Sequence, residues 1–415
     1  MCAAFIAGNG LARKTLRSGR RPIMTGAVDT AVCQQCGMPL AYDRLVTADA
    51  QPSAVLCSYC TNPQRPRGFE PPNGSPAVLH FLLQTYLRDR RWVRALAAIV
   101  RRAGIGPQPI RQLADIVGVL PHRGADRPYD ALVLYSGGKD SSTMLAGLVK
   151  TGLKLCAWML DQGYQSPAAI ANARALCERL GVPLVIERPN RRRMDSLFRV
   201  GFGITNAADA ELVKSVAAYG SACWPCFSTI AARAAAFCNE NRIPFCFVGT
   251  QPGQNRLDLN GQPGLAGIIP RTDNVVRRFV APLRAYAERI DADAATLLEL
   301  DRCETLLLPY FEFVPLPDRQ TQLLRLQEIG WKMPKNTGAC STNCMMNELG
   351  RFVMRKRFGF DLYQIIEANE RRMRNAAGPA PDPAPVDMEA VIAGQRMMGL
   401  SKQESEDISL SEPQP

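Results

Sequence analysis

The stretch YSGGKDSSTM, Tyr135 to Met144, sets two adjacent glycines, a lysine, an aspartate and three serines inside ten residues. Glycines let the backbone approach a ligand closely, and successive amides at a helix start form a concave anion site that the helix dipole reinforces. Ser136, Ser141 and Ser142 add hydroxyl donors and Lys139 adds a cation, so the chemistry on offer is phosphate binding. The four-residue gap before Gly-Lys-Ser/Thr that a Walker A loop needs is missing. Which phosphate is held, and for what bond, must come from the surroundings.

Cysteines are the second set able to do chemistry, fourteen in all and many in close pairs. Cys33 and Cys36, then twenty residues, then Cys57 and Cys60 repeat a CxxC spacing. Each pair in a tight turn aims two sulfurs at one ion, and an intervening hairpin would join the pairs, so a closed four-thiolate Zn2+ site is expected. A redox or cluster role is the alternative. A closed site has no open coordination position, so its expected work is folding or partner contact.

Cys223 and Cys226, in ACWPC, fall at the start of an expected helix, where the dipole lowers a thiol pKa and favours a metal ligand or sulfur nucleophile. Cys340 and Cys344, in GACSTNC, are separated by three residues, and neighbouring Gly338, Ser341, Thr342 and Asn343 make an apolar packed pair the less natural reading. Convergence of Cys223, Cys226, Cys340 and Cys344 on one centre is therefore expected. That centre is either an iron-sulfur cluster on three of them with an open iron, or a second zinc. Cys156, Cys177, Cys238, Cys246 and Cys303 sit on apolar positions and are expected in the core.

Positioning these groups falls to alternating elements. Ala131 to Tyr135 reads as a buried strand, Ser141 to Thr151 as a helix, Lys154 to Leu160 as a strand, Pro167 to Leu180 as a helix, and Val182 to Glu187 and Pro244 to Val248 as further strands. Such alternation makes an α/β fold with a parallel sheet, whose ligands bind at the carboxyl ends of the strands. Ser136 and Asp161 fall there.

With the loop and its strand in view, SGGKDS resembles the pyrophosphate loop of the PP-loop (adenine nucleotide alpha hydrolase-like) ATP pyrophosphatases, over about residues 129 to 285. The resemblance implies adenylation of a substrate oxygen, release of pyrophosphate, and displacement of AMP by a nitrogen or sulfur nucleophile. It implies that Ser136, Gly137, Gly138, Lys139, Asp140, Ser141 and Ser142 hold the pyrophosphate part of ATP, with Mg2+ balancing its charge, and that Asp161 in LDQGY approaches the adenosine. The CxxC of Cys223 and Cys226 is similar to that of PP-loop tRNA thiolases, which makes both residues catalytic candidates beside Lys139 and Asp140. Where those enzymes continue into a loop bearing His and Asp, this chain has GTQPGQNR. The paired-CxxC module with CQQCGMPL, followed by SGGKDSSTML, also resembles N-acetyl sugar amidotransferases of lipopolysaccharide biosynthesis, which draw ammonia from a separate glutaminase. Sulfur transfer is the favoured expectation and amido transfer the alternative; an ATP-binding scaffold without turnover is a third reading. The acceptor is a small molecule, a nucleotide sugar or a tRNA.

Around this core the chain divides into a basic, disordered extension (1–30), a zinc-ribbon-like module (31–65), a helical connector (75–122), the PP-loop domain (129–285), a helical C-terminal region carrying Cys340 and Cys344 (286–375), and a Pro-rich, extended linker with a mostly disordered tail (376–415). The connector carries a basic stripe of Arg88, Arg90, Arg91, Arg94, Arg101 and Arg102, expected as a solvated face, with a surface for a phosphate backbone as the alternative. A formal net charge of +12 keeps an anionic partner or substrate open. Apolar content of 47% without a membrane-length apolar run, and cysteines spaced as metal ligands, fit a soluble chain of the reducing cytoplasm.

Overall fold

The computed structural model describes residues 30–46, 55–61, 127–205, 208–251, 253–254, 279–300, 302–303, 305–312, 314–335, 337–338, 340–373, 376 and 380–403. The basic extension through residue 29, the connector at 75–122 with its arginine stripe, and the last twelve residues lie outside them.

Five strands form one all-parallel sheet: β1 (Ala131–Leu134), β2 (Leu155–Leu160), β3 (Leu184–Glu187), β4 (Phe245–Val248) and β5 (Leu306–Pro309). Their spatial order is β3-β2-β1-β4-β5. All six residues of β2, LCAWML, are buried, as expected of a strand covered on both faces. Alternate side chains divide between two cores. Ala131, Val133, Ala157 and Met159 meet Met144, Leu145 and Leu148 of α3 (Lys139–Leu148) and Ala173 and Leu176 of α4 (Pro167–Leu180). Leu132, Cys156, Trp158 and Leu160 instead meet Ala234, Ala235 and Cys238 of α7 (Cys223–Glu240).

A third core without strands joins the N-terminal module to α5 (Arg191–Gly203), α6 (Ala210–Tyr219) and later helices. These are α8 (Ala281–Ile290), α9 (Ala292–Ala295), α11 (Asn347–Phe358), α12 (Leu362–Met373) and α13 (Met388–Met397), with α10 (Arg319–Glu328) packing on α3 instead. In the module, α1 (Leu40–Val46) follows the first cysteine pair, and α2 (Ser58–Thr61) begins after Cys57 and carries Cys60. Cys156, Cys177, Cys238, Cys246 and Cys303 are buried, as their apolar positions led one to expect.

Three expectations are corrected. The fifth strand lies at 306–309, inside the region read as helical from 286 onward; four apolar residues, LLLP, are too few for periodicity to separate strand from helix. Between the paired cysteines Leu40–Val46 is helical where a hairpin was expected, residues 47–54 lying outside the described ones, and Asp43 of α1 accepts hydrogen bonds from Ser58 N and Oγ at 2.7 and 2.6 Å that tie the pairs together. Residues 380–387 are extended but not loosely packed. Arg351 and Arg355 donate to the carbonyl of Ala384 at 2.6 and 2.7 Å, and Asp387 N donates to Glu348. Glu348, Arg351 and Asp361 form a buried ionic group there, and the proline-rich strap satisfies guanidinium donors that the carboxylates leave over. No helix among the described residues is long and apolar enough to cross a membrane.

Candidate functional site

The strand order reverses between β1 and β4, and a parallel sheet opens its ligand crevice at such a point, beyond the carboxyl ends of the strands. Ser136 to Gly138 leave β1 there and turn into α3. Gly137 has φ +70, and a β-carbon on it would run into the Ala169 carbonyl of α4, so only glycine fits this turn. Trp331 Nε1 donates to Gly137 O at 2.8 Å, and the next residue is fixed by a reciprocal pair in which Asn172 Nδ2 donates to Lys332 O and Lys332 N to Asn172 Oδ1. Ser141 Oγ lies 3.0 Å from Ser136 Oγ and accepts from Ser136 N at 3.2 Å, which closes the loop on itself.

Helix α3 begins after Gly138, which has no side chain with which to cap it. Thr342, 203 residues beyond Lys139, supplies the cap: Lys139 N donates to Thr342 Oγ1 at 3.0 Å. Lys139 Nζ pairs with both oxygens of Asp140 at 2.6 and 2.7 Å, and Gln322 Nε2 donates to Asp140 Oδ1 and Thr143 Oγ1. Ser142 does not join the anion-facing set expected of it; it is fully buried and shares a 3.1 Å hydrogen bond with the Tyr135 hydroxyl. Asp161 directly follows β2, its carboxylate accepting from Arg188 Nε at 3.0 Å and Gly163 N at 3.1 Å.

The Thr342 segment also carries the late cysteines. Ser341 Oγ accepts from Asn343 N and Cys344 N, and Cys344 bridges Gln165 in antiparallel fashion. Asn343 Nδ2 donates to Gln165 Oε1, Gln165 Nε2 to Gln162 Oε1, and Gln162 Nε2 to Cys226 Sγ at 3.4 Å. A continuous polar chain therefore runs from the phosphate-type loop to the cysteines at the start of α7. Cys223 opens that helix and Cys226 lies one turn in, while Trp224 Nε1 donates to Phe279 O and Ser221 Oγ to Gly350 O.

Cys344 lies close enough to Cys223 and Cys226 to raise both, whereas Cys340 is raised by burial first and is then affected by Arg351, Asp361, Glu348 and Arg355. Burial pushes Cys223 up to about 12 and Cys344 up to about 11, and lifts Cys226 well above the ordinary thiol value. The lowered pKa expected from the helix dipole is thus overturned for the metal-free chain, because desolvation of the thiolate outweighs the dipole. Among the described residues, the group of at least three potential ligands gathered within 4.8 Å of one another is Cys33, Cys36, Cys57 and Cys60; the later four cysteines do not form such a group.

The N-terminal quartet fits Zn2+. Zinc-sulfur bonds of about 2.3 Å in a tetrahedron set sulfur atoms about 3.8 Å apart, and Cys36 Sγ lies 3.7 Å from Cys57 Sγ. Gly37, at φ +78, makes the turn after the first pair, and Gln34 N donates to Val55 O to join the two pairs. The four thiols act on one another: hydrogen bonds from Cys36, then Cys57 and Cys60, lower Cys33, while those from Cys33, then Cys36, raise Cys57 and Cys60. Bound there, the ion would be held by four thiolates with no position left for a substrate.

Trp331, Gln322, Thr342, Gln162 and Gln165 were not singled out as site residues by sequence. A signal existed for two regions only, the polar run Ser341 to Asn343 and the LDQGYQS segment after β2. Replacing Trp331 by phenylalanine keeps a ring in place but leaves the Gly137 carbonyl without its donor. A loss of about 1–3 kcal/mol in unfolding free energy is expected, readable as a lower denaturant midpoint at unchanged slope. A comparison with protein-family models and with curated proteins finds no match to the chain.

Proposed function

We propose that the chain is an ATP-dependent transferase of the PP-loop type that adenylates a substrate oxygen, releases pyrophosphate and then transfers sulfur. The observation that carries this reading is the Ser136 to Ser142 loop at the β1/β4 switch point, joined by hydrogen bonds through Thr342, Asn343, Gln165 and Gln162 to Cys226. In the first step the substrate oxygen attacks the α-phosphorus and the bond to the β-phosphate oxygen breaks. The loop amides, Ser136 and Lys139 hold the leaving pyrophosphate, and charge that grows on its oxygens is what such donors stabilise most. Lys139 is paired with Asp140 beforehand, which keeps the ammonium poised at the helix start. Mg2+ would share the neutralisation of phosphate charge. Asp161 is assigned to the adenosine side by its place directly after β2.

In the second step a sulfur nucleophile attacks the activated carbon and AMP departs. Cys223 and Cys226 are the assigned carriers or ligands for that sulfur, with a separate protein as its donor, and Cys344 is the neighbour completing the set. The acceptor belongs to the small molecules, nucleotide sugars or tRNAs, and cysteines that are free among the described residues fit a reducing cytoplasm. Amido transfer, with ammonia from a partner glutaminase, is the second reading; it is favoured by a formed N-terminal quartet beside later cysteines that are not gathered around a single ion.

Anaerobic purification with metal and acid-labile sulfide analysis, paired with a pyrophosphate assay across acceptor classes, tests both readings. Iron and sulfide together with acceptor-dependent pyrophosphate release is the expected result. Zinc alone with release supported by ammonia would move the assignment to amido transfer. ATP binding without release on any acceptor would leave a nucleotide-binding scaffold.

A further inference from the structure

The loop GTQPGQ, where the chain departs from the tRNA thiolases, begins at Gly249 against the start of α3: a β-carbon on Gly249 would lie 3.4 Å from Ser141 Cα. Its far end is held from α12. Asn369, 2% exposed, donates from Nδ2 to Gly253 O at 2.9 Å, and a β-carbon on Gly253 would lie 2.6 Å from Ile366 O. One turn further along α12, Arg372 donates from Nη2 to Asn369 Oδ1 and from Nη1 to Cys36 Sγ at 3.3 Å. Its guanidinium also lies over the Tyr59 ring, 4.7 Å from the centroid, between the two cysteines of the second pair. One side chain therefore grips a sulfur of the four-cysteine centre with one arm and orients, with the other, the amide that holds the loop after β4.

We propose that Arg372 is a positioning residue shared by the metal centre and the switch-point loop. Four thiolates around one divalent ion leave the centre net negative, and a buried charge of that kind needs a hydrogen-bonded counter-charge. Arg372 supplies it, and the planar fork that meets Cys36 fixes the Asn369 amide so that its Nδ2 faces Gly253. The centre thereby does more than fold its own module: its occupancy sets how firmly the chain beyond β4 is held beside the phosphate-type loop. This inference depends on the zinc fit and on the fold, not on the nature of the transferred atom.

The test uses the full-length zinc-loaded chain and measures zinc affinity by chelator competition, the charge-transfer bands of the Co2+-substituted centre, and amide hydrogen exchange in the peptide containing Gly253. Arg372→Gln is expected to weaken zinc by about 10–100-fold, to shift the thiolate-to-cobalt bands, and to speed exchange around Gly253 while peptides of β1 and β2 stay protected. Arg372→Lys should recover most of the affinity, since it returns the charge, yet leave the loop exchanging fast, since it lacks the fork. Asn369→Ala should speed the loop without changing zinc affinity. Wild-type affinity and spectrum in Arg372→Gln, or a loop unchanged in both Arg372→Gln and Asn369→Ala, would overturn the proposal. Should Arg372→Gln fail to fold, chelation of the wild-type chain decides: faster exchange at Gly253 with β1 and β2 still protected supports it, and an unchanged loop or uniform loss of protection refutes it.

Discussion

Gly137→Ala is expected to cut acceptor-dependent pyrophosphate release by at least about 100-fold, the scale of losing one preorganised donor at a developing oxyanion, with the circular dichroism of the sheet retained. Two separate costs meet at this position. A non-glycine residue at φ +70 is strained by roughly 1–2 kcal/mol, and the new methyl group runs into the backbone carbonyl of Ala169, which belongs to helix α4 and cannot rotate away as a side chain would. The loop must shift, and with it the Gly137 carbonyl that Trp331 holds and the amides that follow. Gly152→Ala is the control, because Gly152 has φ +74 but nothing within 4 Å of a β-carbon. It should lose about 1–2 kcal/mol of stability and keep its rate. Equal activity in the two variants would remove the loop from the reaction, whereas loss confined to Gly137→Ala locates the effect in loop geometry.

The contrast between these glycines shows what could be read before the fold was known. The SGGKDS loop, its strand and its helix are local, and so are the turns of both N-terminal CxxC pairs; residue type and spacing carry such features because the groups involved are chain neighbours. β2 was legible for the same reason, as six consecutive apolar residues. What stayed hidden depends on distant segments. Thr342 caps α3 from 203 residues away, Trp331 reaches Gly137 across 194, and Arg372 meets Cys36 across 336, and no local period encodes such pairings. The thiol pKa of Cys223 failed for a related reason. Its place at a helix start is local, but its burial is tertiary, and desolvation is the larger effect. The strap at 380–387 failed likewise, since its prolines speak for an open linker while its carbonyls serve Arg351 and Arg355.

Chelation of the N-terminal quartet is expected to unfold its module outright. Structural zinc contributes apparent binding free energies of about 10–16 kcal/mol in small zinc domains, which rivals the roughly 5–15 kcal/mol that holds an ordinary domain together. Little else in the module could substitute: α1 has seven residues and α2 four, too short to persist alone. Met38, Leu40 and Tyr42 do bury against the third core, with Tyr42 meeting Phe360 edge to face at 5.7 Å, so the failure should spread to that contact but not to the sheet, which packs through its own two cores. The native chain should carry one zinc at this quartet and expose four additional reactive thiols when it is removed. Cys57→Ser should behave as the chelated chain does, because a hydroxyl is a poor replacement for a thiolate in a closed zinc site. Binding should weaken as pH falls, since each ligand must shed a proton before it can coordinate. A chelated chain that kept residues 31–46 and 55–61 protected from exchange would show that packing and the Asp43–Ser58 hydrogen bonds, and not the ion, hold the module.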